Sequence, residues 1–348
     1  MARRKQEINI FRIAEEAGVS IATVSRVMNH RTGVSETTRA RINTLLREYE
    51  FKPDYPAVRS PKIVFLTPFD DLVNYLRLAM KGVCRYARTH DMEVGLLARN
   101  TNPRATLLQQ IRDQQCSGVI VMMTEFFDDE HLELGNSGLP VVFLDSSINV
   151  ANAGFIDNDS YSGSCAATRH LLELGHRKIG YVRYRHPGLN HIQRFNGYKH
   201  TMAEAGITPD PSWIGIPPSK ERAVISSISG LNAMRSLLER APEITAVMAV
   251  DDEMALGAMT AIHQSGRKIP DDISVIGFDN YPETEAWYPP LTTIHHPIEE
   301  AGYMAATAIG DALKSHGAWT PPREVLPTRL IVRDSTGPAP KTSGISGD

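Results

Sequence analysis

From Lys62 onward the chain alternates short apolar runs with stretches of helical periodicity, and it does so twice over. This alternation constrains the fold more than any other feature. KIVFLT (62–67), VGLLA (94–98), GVIVMM (118–123), PVVFLD (140–145) and AGFIDN (153–158) form one set of runs. KIGYVRY (178–184), WIGI (213–216), AVMAV (246–250) and SVIGFD (274–279) form a second. Helical patterns fall between them at 74–89, 104–114, 160–174, 193–206, 228–239 and 252–265. Continuous apolar runs suit strands buried on both faces, and alternation with helices predicts parallel sheets with helices on both sides. Two sets predict two similar lobes.

The N-terminal residues follow a different pattern. IFRIAEEA (10–17) places Ile10, Ile13, Ala14 and Ala17 on one helix face. Gly18 ends that helix, Val19 plugs a small core, and Ser20 is a good N-cap for IATVSRVM. In that second helix Val24, Val27 and Met28 share one face, while Ile21, Ala22, Ser25 and Arg26 lie largely on the other. Ser35 opens a third helix with Ile42, Leu45, Leu46 and Tyr49 in the same periodicity. Two short helices joined by a glycine turn, with a third across them, predict a helix-turn-helix. Arg26 suits guanine O6 and N7, and Ile21 and Ala22 suit a thymine methyl. Thr23, Asn29, Ser35 and Thr38 stand at helix starts or ends, where hydroxyls, amides and unpaired backbone N–H groups hold phosphates.

Charge supports this division. Residues 1–60 hold eleven Lys/Arg and seven Asp/Glu, a net +4, whereas the other 288 hold 26 and 33, a net −7. A basic head on an acidic body directs only the head toward a polyanion. At 348 residues the chain has length for about two domains. Its apolar runs fall well short of the roughly 20 residues that span a bilayer, and no apolar stretch follows MARRK as in a secretory signal. Cys84, Cys116 and Cys165 show no CxxC spacing, as expected of reduced thiols in the cytoplasm.

Ligands of open α/β sheets bind beyond the carboxyl ends of the strands. Those ends carry Asp70 and Asp71, Asp157 and Asn158, Arg183 to Arg185, Asp251 and Asp252, and Asp279 and Asn280. Carboxylates facing an interlobe cleft suit hydrogen bonding to sugar hydroxyls, with Tyr75, Tyr184 or Tyr281 free to stack on a ring. Asp159 and Asp252 also suit the ordinary role of helix caps. No P-loop, GxGxxG after a strand, GxSxG or HExxH occurs. His295 and His296 are neighbours on an extended crossing and point to opposite sides, so no metal site is expected. The residues give no basis for an enzyme or a cofactor.

NIFRIAEEAGVSIATVSRVMN…VSETTRARI resembles the DNA-binding head of the lactose-repressor (LacI/GalR) family, with its AxxAGVSxxTVSRVxN signature. ATRHLLELGHRKIGYV, RFNGYKHTMAEAGI, AVDDEMALGAM, IPDDISVIGFDN and YPPLTTIHHP extend the resemblance through the body. It implies a small all-α helix-turn-helix head (1–53), a short hinge (54–62) and a two-lobed α/β body of the periplasmic-binding-protein kind (63–334). The lobes would be 63–165 with 296–323, and 166–293 with 324–334. By position, Ile21, Ala22 and Arg26 would choose bases, while Asn9, Thr23, Ser25, Asn29, Ser35 and Thr38 would contact the backbone. Asp70, Tyr75, Asp157, Tyr184, Arg194, Asp251 and Asp279 would contact a small effector. The resemblance thus implies a cytoplasmic transcriptional repressor, a homodimer on a roughly palindromic operator, controlled by a sugar or sugar derivative.

The hinge departs from the family. FKPDYPAVRSPK has Asp54 where members have Asn, lacks the wedging leucine and carries Pro56 and Pro61, so it is expected to be extended or weakly turned, without leucine intercalation. Asp251 replaces a common Asn. The tail STGPAPKTSGISGD (335–348) has no leucine heptads and a disorder-type composition. Two other readings stay open at this point: a cytoplasmic sugar-binding receptor without specific DNA binding, and an enzyme with a sugar-like cleft.

Overall fold

A computed structural model describes residues 10–28, 33–49, 60–67, 74–98, 106–122, 128–185, 188–218, 227–314 and 319–341. The chain divides into two compact units, Met1–Pro61 and Lys62–Asp348. The hinge expectation rests on residues 51–59 and so lies outside the described residues, as do residues 342–348 of the tail.

The first unit holds α1 (Ile10–Ala17), α2 (Ile21–Met28) and α3 (Glu36–Glu48). Ile13, Ala14, Ala17, Val24, Val27 and Ile42 form its core, with Val19, Val34, Leu45, Leu46 and Tyr49 packed against them.

The second unit is two-lobed. Its first lobe begins with β1 (Lys62–Thr67), α4 (Asn74–Thr89), β2 (Glu93–Ala98), α5 (Leu107–Asp113) and β3 (Gly118–Met122). It continues with α6 (Asp128–Gly135), β4 (Val141–Leu144) and β5 (Ala153–Asn158). The second lobe follows as α7 (Ser160–Glu173), β6 (Ile179–Val182), α8 (Leu189–Glu204), β7 (Ile214–Gly215) and α9 (Ser227–Arg240). Next come β8 (Ala246–Ala249), α10 (Asp252–Gln264), β9 (Ser274–Asp279) and β10 (Thr292–His295). The chain then returns to the first lobe as α11 (Ile298–Lys314) and β11 (Arg323–Leu326), and ends in the second with β12 (Arg329–Ile331).

Each lobe is built on a six-stranded sheet, in the orders β11-β5-β4-β3-β1-β2 and β12-β10-β9-β8-β6-β7. All pairings are parallel except that of β10 with β12. Every residue of β3, β4, β6, β8 and β9 is buried, which is why these strands read as unbroken apolar runs rather than alternating ones. Glycines let the covering helices approach closely. A Cβ on Gly257 of α10 would collide with the Ser227 carbonyl of α9, and one on Gly302 of α11 with the Ala79 carbonyl of α4.

The crossings differ from the expected boundaries. The first falls at 158–160, not after Cys165, because α7 packs on α8: Gly197 lies against the Tyr161 carbonyl and Ser164 Oγ donates to the Arg194 carbonyl. The third falls at 327–328, not at 324, because all of β11 pairs with β5, register Arg323 to Phe155 through Leu326 to Asn158. Lys62 belongs to β1 rather than to the hinge. Helices α6 and α11 are additional to the predicted elements.

The tail expectation is also corrected in part. Ser335 is fully buried, its Oγ donating to Val275 O at 2.7 Å and accepting from Thr292 N at 2.8 Å. Gly337 N donates to Ser274 Oγ (3.0 Å) and Ala339 N to Leu174 O (2.9 Å). Hydrogen bonds to the second lobe hold residues 335–339 in place, whatever their composition suggests.

Candidate DNA-binding head and effector cleft

In the head, the turn between α1 and α2 has the geometry that the sequence demands. Gly18 adopts φ +64°, and Val19 N donates to Ala14 O at 3.0 Å, closing the end of α1. Ser20 Oγ accepts from Thr23 N at 3.2 Å, which starts α2. Ser35 Oγ caps α3 by accepting from Thr38 N at 3.2 Å, and donates to Thr38 Oγ1 at 2.8 Å. Two cross-links fix α3 on α1: Arg41 Nη2 donates to Glu16 O (2.9 Å) and the Tyr49 hydroxyl donates to the Glu16 carboxylate. Arg26 is exposed in the last turn of α2, opposite the buried Val24 and Val27. Of the expected DNA contacts, Arg26, Thr23, Ser35 and Thr38 are thus placed at an exposed helix face or a helix start. Asn9 and Asn29 lie outside the described residues, as do the side chains of Ile21, Ala22 and Ser25.

In the body, strand ends of both lobes converge on one polar cluster, with Arg194 at its centre. This side chain is 2 % exposed. Its Nη2 donates to Asp279 Oδ1 at 3.1 Å, its Nη1 to Val250 O at 2.8 Å and its Nε to Ser160 Oγ at 3.3 Å. The guanidinium lies 3.7 Å from the centre of the Phe278 ring. Burial pushes the Asp279 carboxyl up, but Arg194 and His296 outweigh it and hold it below the usual carboxylate range. His296 Nδ1 stands 3.3 Å from Asp279 Oδ1, and its Nε2 3.8 Å from Asp145 Oδ1. Both carboxylates leave their strands with positive φ, 57° at Asp145 and 112° at Asp279. Backbone of this kind costs about 1–3 kcal/mol per residue and persists where the surrounding structure fixes it.

Asn190 stands one helical turn before Arg194 on α8 and reaches across to the first lobe. Its Nδ2 donates to Asp145 Oδ1 at 2.6 Å and to Asp157 Oδ1 at 3.0 Å. Asn158 Nδ2 donates to the same Asp145 oxygen at 2.6 Å, and Ser147 Oγ to the other Asp157 oxygen. Burial, reinforced by Asp157 and Asp279, raises the Asp145 carboxyl against His296 and Arg194, which lower it. Asp251 caps α10 by accepting from Met254 N at 2.8 Å. Burial, with Asp279 nearby, pushes its pKa up to about 7.

The structure therefore gathers Tyr75, Asp157, Tyr184, Arg194, Asp251 and Asp279; Asp70 lies outside the described residues. Asp159 caps α7 through Ser162 N at 2.9 Å. Asp252 is not a cap. Its carboxylate instead accepts from Tyr281 N (2.9 Å) and Thr293 Oγ1 (2.6 Å), tying α10 to β9 and β10. Sequence reasoning missed Asp145, Asn190 and His296. Asp145 ends PVVFLD and was reachable by the strand-end rule; Asn190 shares the i, i+4 face of Arg194. His295 does face away from His296, its Nδ1 3.3 Å from Asn280 Nδ2, but no local signal shows that His296 meets two carboxylates. Among the described residues no group of three His, Cys, Asp or Glu side chains could hold a metal ion.

Comparison with known proteins places both units. Residues 9–54 match the bacterial regulatory proteins of the lacI family, and residues 168–336 match the periplasmic binding protein-like domain. The chain belongs to the lacI family. This LacI-family chain is 28 % identical over 332 residues to the transcriptional repressor PurR of Haemophilus influenzae strain PittEE, covering 93 % of itself and 97 % of that protein. The structure of the transcriptional regulator CelR with cellobiose matches with a TM-score of 0.70 at 27 % identity, over 94 % of this chain and 100 % of that one. The lac repressor dimer bound to operator and the anti-inducer ONPF matches with a TM-score of 0.70 at 25 % identity, over 95 % and 100 %. The LacI-family chain is accordingly a DNA-binding transcriptional regulator, and no helix among its described residues is long and apolar enough to cross a membrane.

Proposed function

We propose that this regulator is a cytoplasmic repressor that binds a roughly palindromic operator as a homodimer, and that a sugar or sugar derivative held between the lobes controls its operator affinity. One observation carries the reading: a helix-turn-helix head and a cleft lined from both lobes by hydrogen-bonding side chains occur in one chain. A two-fold protein reads a two-fold site. Ile21, Ala22 and Arg26 are assigned to bases, and Asn9, Thr23, Ser25, Asn29, Ser35 and Thr38 to phosphates. The effector contacts are Asp70, Tyr75, Asp157, Tyr184, Arg194, Asp251 and Asp279, to which Asp145, Asn190 and His296 are added.

The cleft can transmit a signal because its polar bonds join the lobes. Asn190 holds Asp145 and Asp157, and Asn74 Nδ2 donates to Glu253 Oε1 at 2.6 Å across the same gap. A ligand that competes for these groups changes the energy of lobe closure, and a coupling of about 1–3 kcal/mol changes operator affinity about 5–150-fold.

Selection from a random duplex pool, followed by fluorescence anisotropy on the selected site, tests the head. Arg26→Ala is expected to cost about 1–3 kcal/mol of specific binding and to relax one position of the site. Retention of no duplex by the full-length dimer, with or without sugars, would overturn the regulatory reading.

A further inference from the structure

The cleft holds more carboxyl groups than the one buried guanidinium of Arg194 can pair. Asp145 and Asp157 share the amide of Asn190, and Asp279 takes the guanidinium of Arg194 at 3.1 Å. His191 adds no charge, because burial and the nearby Arg194 push its pKa down to about 3. Asp251 is different: among the described residues no cation pairs with it, and the hydrogen bond to its Oδ1 comes from a backbone N–H, Met254.

Three tyrosines on separate elements lie near these carboxyl groups. Ionisation of Tyr75 on α4 is opposed by burial and then by Asp145, Asp279 and Asp157. That of Tyr184, after β6, is opposed by burial and then by Asp251. For Tyr281, after β9, the opposing groups are burial and then Asp279 and Asp251. Carboxyl groups thus approach all three cleft tyrosines, with Arg194 opposing them at Tyr75.

An independent feature marks the point of contact. Tyr184 is 3 % exposed, and its hydroxyl makes no hydrogen bond of ordinary geometry, although it faces Asp251. A buried hydroxyl whose one polar neighbour, Asp251, meets it in poor geometry is costly, and that carboxyl group has no counter-ion of its own. One group relieves both: an ammonium, with three donors and a positive charge, can bond the carboxylate and the phenol oxygen together. A neutral sugar hydroxyl brings one donor and no charge, and a carboxylate or phosphate is repelled.

We propose that the effector is a protonated amine of the amino-sugar class, its ammonium bound between Asp251 and the Tyr184 hydroxyl, and that uronates and sugar phosphates are excluded. The inference rests on the sugar-type effector proposed above and narrows it.

The experiment uses the full-length protein and calorimetric titration at pH 7 with glucose, galactose and mannose, each as the neutral sugar, the 2-amino sugar and the uronate. At least one amino sugar is expected to bind about ten-fold or more tightly than its neutral parent, with no binding by the matching uronate. Asp251→Asn keeps an oxygen to cap Met254 N, and it is expected to reduce that amino sugar to the affinity of its parent. Tyr184→Phe is expected to lower the amine's affinity by a smaller factor. A parent or uronate that binds as tightly as the amine overturns the inference and leaves the sugar-effector reading intact. If no member of the panel binds, both fall.

Discussion

Asp251 does two jobs with one carboxylate, and the two pull against each other. As the N-cap of α10 it serves best when charged, since a helix N-terminus favours an anion. Burial and then the neighbouring Asp279 push it to a pKa of about 7 from an ordinary 3.8, against the Met254 N–H, the Tyr184 hydroxyl and Arg194, which lower it. A folded-state pKa above the unfolded value means that the folded form binds the extra proton between those limits. This group's contribution to stability is therefore fully present below about pH 4 and is lost as pH rises through about 7. Comparing urea denaturation of the ligand-free protein with Asp251→Asn isolates the effect. The stability difference, wild type minus variant, is expected to fall between pH 5 and pH 8; a difference independent of pH would show that Asp251 is ordinarily ionised. Asp251 and Asp279 could be found from sequence because each ends a strand. The direction of the Asp251 shift could not, because it depends on which charges three other elements bring within reach.

At the scale of elements, helix pairing depends on the absence of side chains. Gly257 and Gly230 face each other across α10 and α9, and a Cβ on either would strike the backbone of the partner helix. Gly257→Ala is expected to destabilise the body by about 1–3 kcal/mol, as overpacking does, although alanine is the better helix former. A drop in the urea midpoint with an unchanged slope is the expected result; a gain would show that the helices can part at no cost. Strands β1, β3, β4, β6, β8 and β9 were legible because each is a run of mostly buried, mostly apolar residues with a polar residue at or soon after its end. Helix α11 was less so. IEEAGYMAATAIGDALK is rich in small residues, and its Gly302 and Gly310 break an otherwise strong pattern. Those glycines exist because Ala79 and Tyr86 of α4 lie against them, a cause far away in sequence.

Across the whole molecule, the C-terminal segment holds the second lobe together. His176 is fully buried at a junction of three segments: its Nδ1 lies 2.9 Å from Thr245 Oγ1, and its Nε2 3.1 Å from Ser274 Oγ and 3.0 Å from Gly337 O. Ser335 bridges β9 and β10 from outside the sheet. Truncation after Asp334 would leave Thr292 N, Val275 O and Ser274 Oγ without these partners. Each unpaired buried group costs about 1–3 kcal/mol, so a melting temperature lowered by several degrees is expected. An unchanged melting curve would mean that water replaces the segment fully. Composition alone pointed the other way, since Gly, Pro and Ser make no core of their own. The sequence by itself determined the helix-turn-helix head, the doubled α/β alternation and the polar strand ends, because periodicity, capping and strand burial act over a few neighbouring residues. Only the tertiary structure decided that Asp145, Asn190 and His296 join Arg194, where the chain crosses between lobes, and that residues 335–339 dock. Those outcomes depend on charges, backbone groups and close approaches supplied by segments many residues away.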